Sequence, residues 1–174
     1  MLIELYGMHG RGIATACRIL AEACASSNMH VQAMIVDGSE PTPGNDAYAS
    51  KHTGVKTGYK SAFLKFDKQV ADKVFDEPDF IVFFDNIELK NKVLKENSIV
   101  IYNSKERIDN SIYKKRKIKS HFVDAFSIAQ KPNIVMLGAL SKLCNKVSAT
   151  SVKAVLKNYK MSAQDFDEGY RGVK

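Results

Sequence analysis

The sequence predicts a single α/β domain over residues 1–174, in three layers, with a central sheet that is mostly parallel, either wholly so or mixed. Near its start, a short apolar strand pattern passes through a glycine turn into an amphipathic helix. Further on, the run Asp79–Asp85 is continuously apolar between its two aspartates, which is typical of a central strand buried on both faces. From that run to Tyr102 the pattern reads strand, helix, strand, which is one βαβ unit.

The remaining elements follow from apolar periodicity and turn residues. The predicted strands are Leu2–Tyr6, Met29–Val36, Ser61–Phe66, Asp79–Asp85, Ser98–Tyr102 and His121–Ala125. The predicted helices are Ile13–Ser26, Asn86–Asn97, Asn133–Asn145, Val152–Tyr159 and Ser162–Gly169. Pro132 introduces the third helix, and Ser148 or Thr150 caps the fourth. The segment 37–58 is rich in glycine and proline, and a loop of that length inside a domain is usually functional.

Composition narrows the classes of function. No apolar run approaches the ~20 residues that cross a bilayer, and the start of the chain lacks the pattern of a secretory signal. Cys17, Cys24 and Cys144 form no CxxC pair, and the histidines show no ligand spacing. We therefore expect a cytoplasmic protein with no membrane contact, no disulfide framework and no metal ion or iron–sulfur cluster of its own.

One stretch of the chain contributes part of the net charge of +7. The stretch Lys105–Lys119 contains the dense run Lys114–Lys117, which serves either as a solvated surface or as a contact for an acidic partner, a phosphorylated ligand or nucleic acid. No aromatic stacking motif accompanies the run, so we expect no nucleic-acid partner.

The glycine turn after the first strand is the first candidate site. Gly10 and Gly12 flank Arg11 at the mouth of the first helix, where backbone N–H groups and a helix N-terminus favour an anion. Arg11 has two interpretations: a cation for a phosphate or carboxylate, or a member of a surface salt bridge or subunit contact. His9 is interpreted as structural or exposed, because no acid or nucleophile accompanies it in sequence.

Other polar residues have two interpretations each. Glu40 and Asn45 either line an active-site entrance or stabilise turns in their Pro/Gly-rich loop. Asp85 ends the central strand, where open α/β sheets place ligands, or it caps the next helix. Four lysines in or after the long loop either attract phosphates or are simply solvated: Lys51, Lys56, Lys60 and Lys65.

Five blocks, taken in order, resemble the gamma subunit or fused gamma domain of the 2-oxoacid:ferredoxin oxidoreductases, the family of the pyruvate, 2-oxoglutarate, 2-ketoisovalerate and indolepyruvate enzymes. The blocks are His9–Ala23, Val31–Ala33, Glu77–Asp85, Ile101–Ser104 and Asn133–Leu140. Two features depart from the family pattern. Gly12 passes directly to Ile13, without the family's Gly-Gln-Gly, and Gly38–Asn45 keeps a glutamate and a glycine but no arginine.

The resemblance implies a subunit of a complex that converts a 2-oxoacid and coenzyme A to acyl-CoA and CO2. It implies alpha, beta and ferredoxin-like delta subunits that hold thiamine diphosphate, magnesium and iron–sulfur clusters, with ferredoxin as electron acceptor. This chain is then not catalytic alone, contains no catalytic residue, and serves assembly. The residues expected to contribute to a coenzyme A site are Gly10, Arg11, Gly12, Glu40 and Asn45. The alternative is a stand-alone nucleotide- or phosphate-binding α/β module.

Overall fold

A mixed six-stranded sheet forms the centre of the molecule. The computed structural model describes residues 1–37, 59–69, 77–85, 94–108 and 117–174. The strands are β1 (Leu2–Met8), β2 (His30–Asp37), β3 (Tyr59–Asp67), β4 (Phe80–Phe83), β5 (Ile99–Asn103) and β6 (Lys119–Val123). Their order is β2-β3-β1-β4-β5-β6, and only β3 among them runs antiparallel to its neighbours. The predicted α/β class with a mostly parallel sheet is therefore confirmed.

The described helices pack against one face of this sheet. They are α1 (Ile13–Ala25), α2 (Ala125–Ile128), α3 (Pro132–Leu143), α4 (Ala149–Asn158) and α5 (Ala163–Gly172). Alternate residues of the strands, such as Ile3 and Leu5 of β1, join one large apolar core with these helices. In α3 every residue from 134 to 141 is buried, so this helix lies at the centre of the layer.

The opposite face of the sheet has its own apolar cluster, which is built on Ile81, Phe83, Val100 and Tyr102 and is covered in part by Leu94 and Ile118. Residues 86–93 of the helix predicted over Asn86–Asn97 lie outside the described ones. None of the helices described is long and apolar enough to cross a bilayer.

Two local predictions are wrong. Residues 94–97, the predicted end of the helix Asn86–Asn97, are not helical, and Asn97 has a φ of 66°, a left-handed conformation that asparagine tolerates and a continuing helix does not. The strand predicted over His121–Ala125 ends at Val123, and the short helix α2 follows. Asp124 begins this helix because its carboxylate accepts the N–H of Ser127 at 3.2 Å.

The remaining predicted elements are confirmed to within a few residues at their ends. Ser148, rather than Thr150, caps α4 by accepting the N–H of Ser151. The long Gly/Pro-rich loop lies outside the described residues from position 38 onward.

Two glycines allow α3 and α5 to cross in backbone contact. A Cβ built on Gly138 overlaps the carbonyl oxygen of Phe166, and a Cβ built on Gly169 overlaps the carbonyl oxygen of Val135. The obstacle on each side is backbone, which cannot rotate away as a side chain does. The crossing therefore requires glycine at both positions.

We expect Gly169→Ala to lower the free energy of unfolding by about 3 kcal/mol or more, because the helices must separate to admit the methyl group. Gly172→Ala in the same helix is the matched control, since a Cβ there meets its nearest atoms at 3.8 Å and 3.9 Å. That change is expected to be neutral or slightly stabilising, because alanine favours the helix. Urea unfolding of both variants measures the difference, and equal stabilities would contradict the backbone contact.

Candidate functional site

A cleft of about 200 Å³ opens at the carboxyl edge of the parallel strands. Its walls are the turn 10–12 after β1, the residues Phe84 and Phe126, and the segment 130–133 that leads into α3. This edge is where parallel α/β sheets place ligands, because the strand ends and the helix N-termini meet there. The predicted site residues Gly10, Arg11 and Gly12 are thus brought together in one cleft.

The glycine turn brings the N-termini of α1 and α3 together. Gly10 and Gly12 have φ angles of 83° and 76°, a left-handed conformation that favours glycine. A Cβ on Gly12 would lie 2.6 Å from the amide nitrogen of Asn133, so the absent side chain also permits the close approach of α3. Neither helix has a side-chain cap at its N-terminus. The first-turn backbone N–H groups of both helices therefore have no side-chain cap.

Asp85 connects the turn to the end of β4. Its Oδ2 accepts the backbone N–H of Met8 at 2.7 Å, and its Oδ1 lies 2.7 Å from Nε of Arg11. The second contact is an ion pair whose N–H is not aligned as a hydrogen bond, and Oδ1 has no hydrogen-bond donor. The Asp85 side chain is 8% exposed, whereas that of Arg11 is 45% exposed. The ion pair predicted as one interpretation of Arg11 thus exists, with a buried partner.

Arg11 is also held by an aromatic ring. Its guanidinium carbon lies 4.6 Å from the centroid of Phe126, which is a cation–π distance. Asp85 takes one edge of the guanidinium and Phe126 takes one face. Lys131, exposed at the start of α3, adds a second cation to the cleft wall. With two cations and one buried carboxylate in or beside it, the cleft is suited to an anionic group.

The other sequence candidates are distributed differently. Glu40, Asn45, Lys51 and Lys56 lie outside the described residues. Lys60 pairs with Gly7, at the edge of the sheet that carries the cleft, whereas Lys65 pairs with Leu2 at the opposite edge. His9 is half-buried and does not line the cleft. Of the basic stretch, Lys117 is exposed and lies 3.0 Å from a carboxylate oxygen of Glu96.

Sequence reasoning missed Phe126, Lys131 and Asn133, which complete the cleft. They lie more than a hundred residues from the glycine turn, and no motif connects them to it. Their only signal was indirect, since Asn133 begins one of the blocks that carry the family resemblance.

The cysteines form no site of this kind. Burial raises the pKa of the Cys17 thiol to about 11 and that of Cys24 to about 12. Burial also raises the pKa of Cys144. Metal and cluster ligation needs thiolates, and these thiols stay protonated near neutral pH. Among the residues that the structure describes, no three His, Cys, Asp or Glu side chains come together in a group able to hold a metal ion.

The fold and the cleft define an α/β domain with a cleft suited to an anionic group at its strand ends, beside a glycine turn. Comparison with known proteins specifies the family. The profile of the pyruvate ferredoxin/flavodoxin oxidoreductase family matches residues 3–170, and the chain belongs to this family. The resemblance seen in the sequence is therefore confirmed.

The relatives specify the kind of subunit. The pyruvate/ketoisovalerate oxidoreductases common subunit gamma of Pyrococcus abyssi is 31% identical, with 90% of this chain and 84% of the relative covered. The same subunit of Pyrococcus furiosus is 30% identical with the same coverage. The chain is accordingly a gamma-type subunit of a 2-oxoacid oxidoreductase.

Solved structures share the fold. The pyruvate oxidoreductase subunit PORC of Thermotoga maritima superposes with a TM-score of 0.75 at 25% identity, covering 100% of this chain and 97% of that one. The 2-oxoglutarate:ferredoxin oxidoreductase of Magnetococcus marinus, solved with 2-oxoglutarate, coenzyme A and succinyl-CoA bound, gives a TM-score of 0.77 at 20% identity. The match covers 98% of this chain and 30% of that one. At that identity the second likeness concerns the fold alone.

We expect the three thiols to resist alkylation by iodoacetamide in the native protein at about pH 8, because they are buried and protonated there. The same chain in denaturant is the control, and it should take up three labels, as counted by intact mass. Rapid labelling of Cys17 or Cys24 in the native protein would contradict their placement in the core.

Proposed function

We propose that this chain is the gamma subunit of a complex that converts a 2-oxoacid and coenzyme A to acyl-CoA and CO2, with the electrons passing to ferredoxin. In this complex it serves assembly and forms part of the coenzyme A site. Family membership and the names of the gamma-subunit relatives support the first statement. The cleft around Arg11 supports the second. The free, buried cysteines fit a reducing cytoplasmic compartment.

The cofactors of the reaction are assigned to partner subunits. The reaction needs thiamine diphosphate with magnesium to stabilise a carbanion, and iron–sulfur clusters to carry single electrons. The described thiols do not fit cluster ligation, because burial keeps them protonated. We therefore assign these groups to the alpha, beta and ferredoxin-like delta subunits, and no catalytic residue to this chain.

The cleft fits one part of coenzyme A, a phosphate group. The phosphates of coenzyme A are anionic, and Arg11 and Lys131 supply the opposite charge at the cleft wall. A volume of about 200 Å³ is below the ~300–1,000 Å³ of sites that enclose a whole ligand. The cleft is thus sized for a phosphate group, with the rest of the coenzyme lying against a partner subunit.

The proposal depends most on the placement of Arg11. Asp85 and Phe126 together orient its guanidinium before any ligand arrives, so that little reorganisation is needed on binding. In this function Arg11 binds and orients the co-substrate at a distance from the bonds that change. Its loss is therefore expected to affect coenzyme A binding rather than the chemical step.

We expect the chain to purify from its native source together with larger subunits that contain thiamine diphosphate and iron. Size-exclusion chromatography followed by mass spectrometry and iron analysis measures this. A chain that elutes alone at 19.4 kDa and binds ATP, NAD or coenzyme A tightly by calorimetry would instead support a stand-alone nucleotide-binding module.

We expect Arg11→Ala in the assembled complex to raise the KM for coenzyme A about tenfold or more, because a charged hydrogen-bond partner of a phosphate is lost. The kcat at saturating coenzyme A should change little. Arg18→Ala is the matched control, since it removes the same charge from an exposed position on α1. Coenzyme A-dependent reduction of a viologen dye measures both constants, and equal KM values for the two variants would contradict the proposed site.

A further inference from the structure

A buried amide joins the two walls of the cleft. Asn103 is the last residue of β5 and is 2% exposed. Its Nδ2 donates to the carbonyl oxygen of Phe84 at 3.2 Å, and its Oδ1 accepts the backbone N–H of Ala125 at 2.8 Å. Only this orientation of the amide satisfies both partners, because the flipped group would place donor against donor and acceptor against acceptor.

Both partners of Asn103 are adjacent to residues that hold Arg11. Phe84 lines the cleft and directly precedes Asp85, whose carboxylate pairs with Arg11. Ala125 begins α2 and directly precedes Phe126, whose ring lies against the guanidinium. The amide thus sets the separation between the carboxylate of Asp85 and the ring of Phe126 through their backbone neighbours, without touching Arg11 itself.

The backbone groups that Asn103 engages lie beyond the regular strand pairing. β4 ends at Phe83 and β6 ends at Val123. One ladder hydrogen bond continues past β4, from the N–H of Phe84 to the carbonyl oxygen of Tyr6 at 2.8 Å, and the carbonyl oxygen of Phe84 is the group that Asn103 engages. The N–H of Ala125 is also one of the first N–H groups of a helix, which have no partner within the helix. The side chain of Asn103 therefore links the segments after β4 and β6 by hydrogen bonds, at the point where the strands end.

We propose that Asn103 is a positioning residue for the anion site, acting through Asp85 and Phe126 on the orientation of Arg11. This inference rests on the proposed function, since it presumes that Arg11 contacts a phosphate of coenzyme A. A guanidinium that is pre-oriented on two sides binds a phosphate with less loss of freedom than a mobile one. Loosening either side weakens the binding of coenzyme A. The chemical step, which takes place in the partner subunits, is unchanged.

Two variants separate the contacts of the amide. Asn103→Ala removes both hydrogen bonds. Asn103→Asp keeps an acceptor for the N–H of Ala125 but directs a carboxylate oxygen at the carbonyl of Phe84. In the assembled complex we expect each variant to raise the KM for coenzyme A by about three- to tenfold, with kcat and the KM for the 2-oxoacid changed by less than about twofold.

Ser98→Ala is the matched control. Ser98 is fully buried and donates from Oγ to the carbonyl oxygen of Pro78 at 2.8 Å, so it joins the same pair of strands at the opposite edge of the sheet. Its loss should lower the unfolding temperature without changing the KM for coenzyme A. A comparable rise of KM in Ser98→Ala would show that general destabilisation explains the effect, and it would overturn the assignment.

A double-variant cycle tests the route through Arg11. In the Arg11→Ala background, adding Asn103→Ala should change the KM for coenzyme A by less than about twofold, because the group that Asn103 orients is already absent. Full additivity of the two effects would overturn the assignment. So would failure of both Asn103 variants to fold, since the amide would then serve the fold as a whole.

The inference and the proposed function fail differently. If Arg11→Ala raises the KM for coenzyme A and neither Asn103 variant does, the positioning role is wrong and the coenzyme A site stands. If Arg11→Ala leaves that KM unchanged, the coenzyme A site is wrong and the positioning role falls with it.

Discussion

The buried carboxylate of Asp85 is the constraint on which the cleft depends. With the residue only 6% exposed, its charge requires compensation inside the protein, and the N–H of Met8 and the guanidinium of Arg11 provide it. The pair ties the end of β4 to the turn after β1. Space for the carboxylate exists because Gly7 has no side chain, since a Cβ there would lie 2.9 Å from Oδ2. Arg11 takes its place from this arrangement.

Much of the fold is readable from the sequence, for identifiable reasons. The strands and helices are predicted because apolar residues recur with periods of two and 3.6, and burial in one core imposes those periods. The antiparallel direction of β3 is not readable, because alternation is the same for either direction of a strand. The non-helical conformation of residues 94–97 is not readable from the sequence, because a segment rich in lysine and glutamate suits a helix by propensity, whereas Asn97 adopts a left-handed conformation.

Only one wall of the cleft can be predicted from the sequence. The glycine turn and Asp85 follow strands directly, and strand ends meet at one edge of a parallel sheet, so sequence alone indicates that they approach. Phe126 and Lys131 reach the same cleft through the packing of β6 and α3, which no local pattern encodes. Asn103 had a usable signal, because it ends the strand next to the one that precedes Asp85. The expectation of coenzyme A as the ligand rests on the family resemblance, since the charges of the cleft suit any anionic group.

The crossing of α3 and α5 through Gly138 and Gly169 has a consequence at the far end of α3. Backbone contact leaves these two helices few relative positions, so the amino-terminal turn of α3, which forms one wall of the cleft, is oriented by a contact within the first two turns of that helix. A surface built in this way sacrifices little conformational entropy when another subunit closes over it. Under the proposed function, the two buried glycines favour assembly of the complex through the rigidity of this wall.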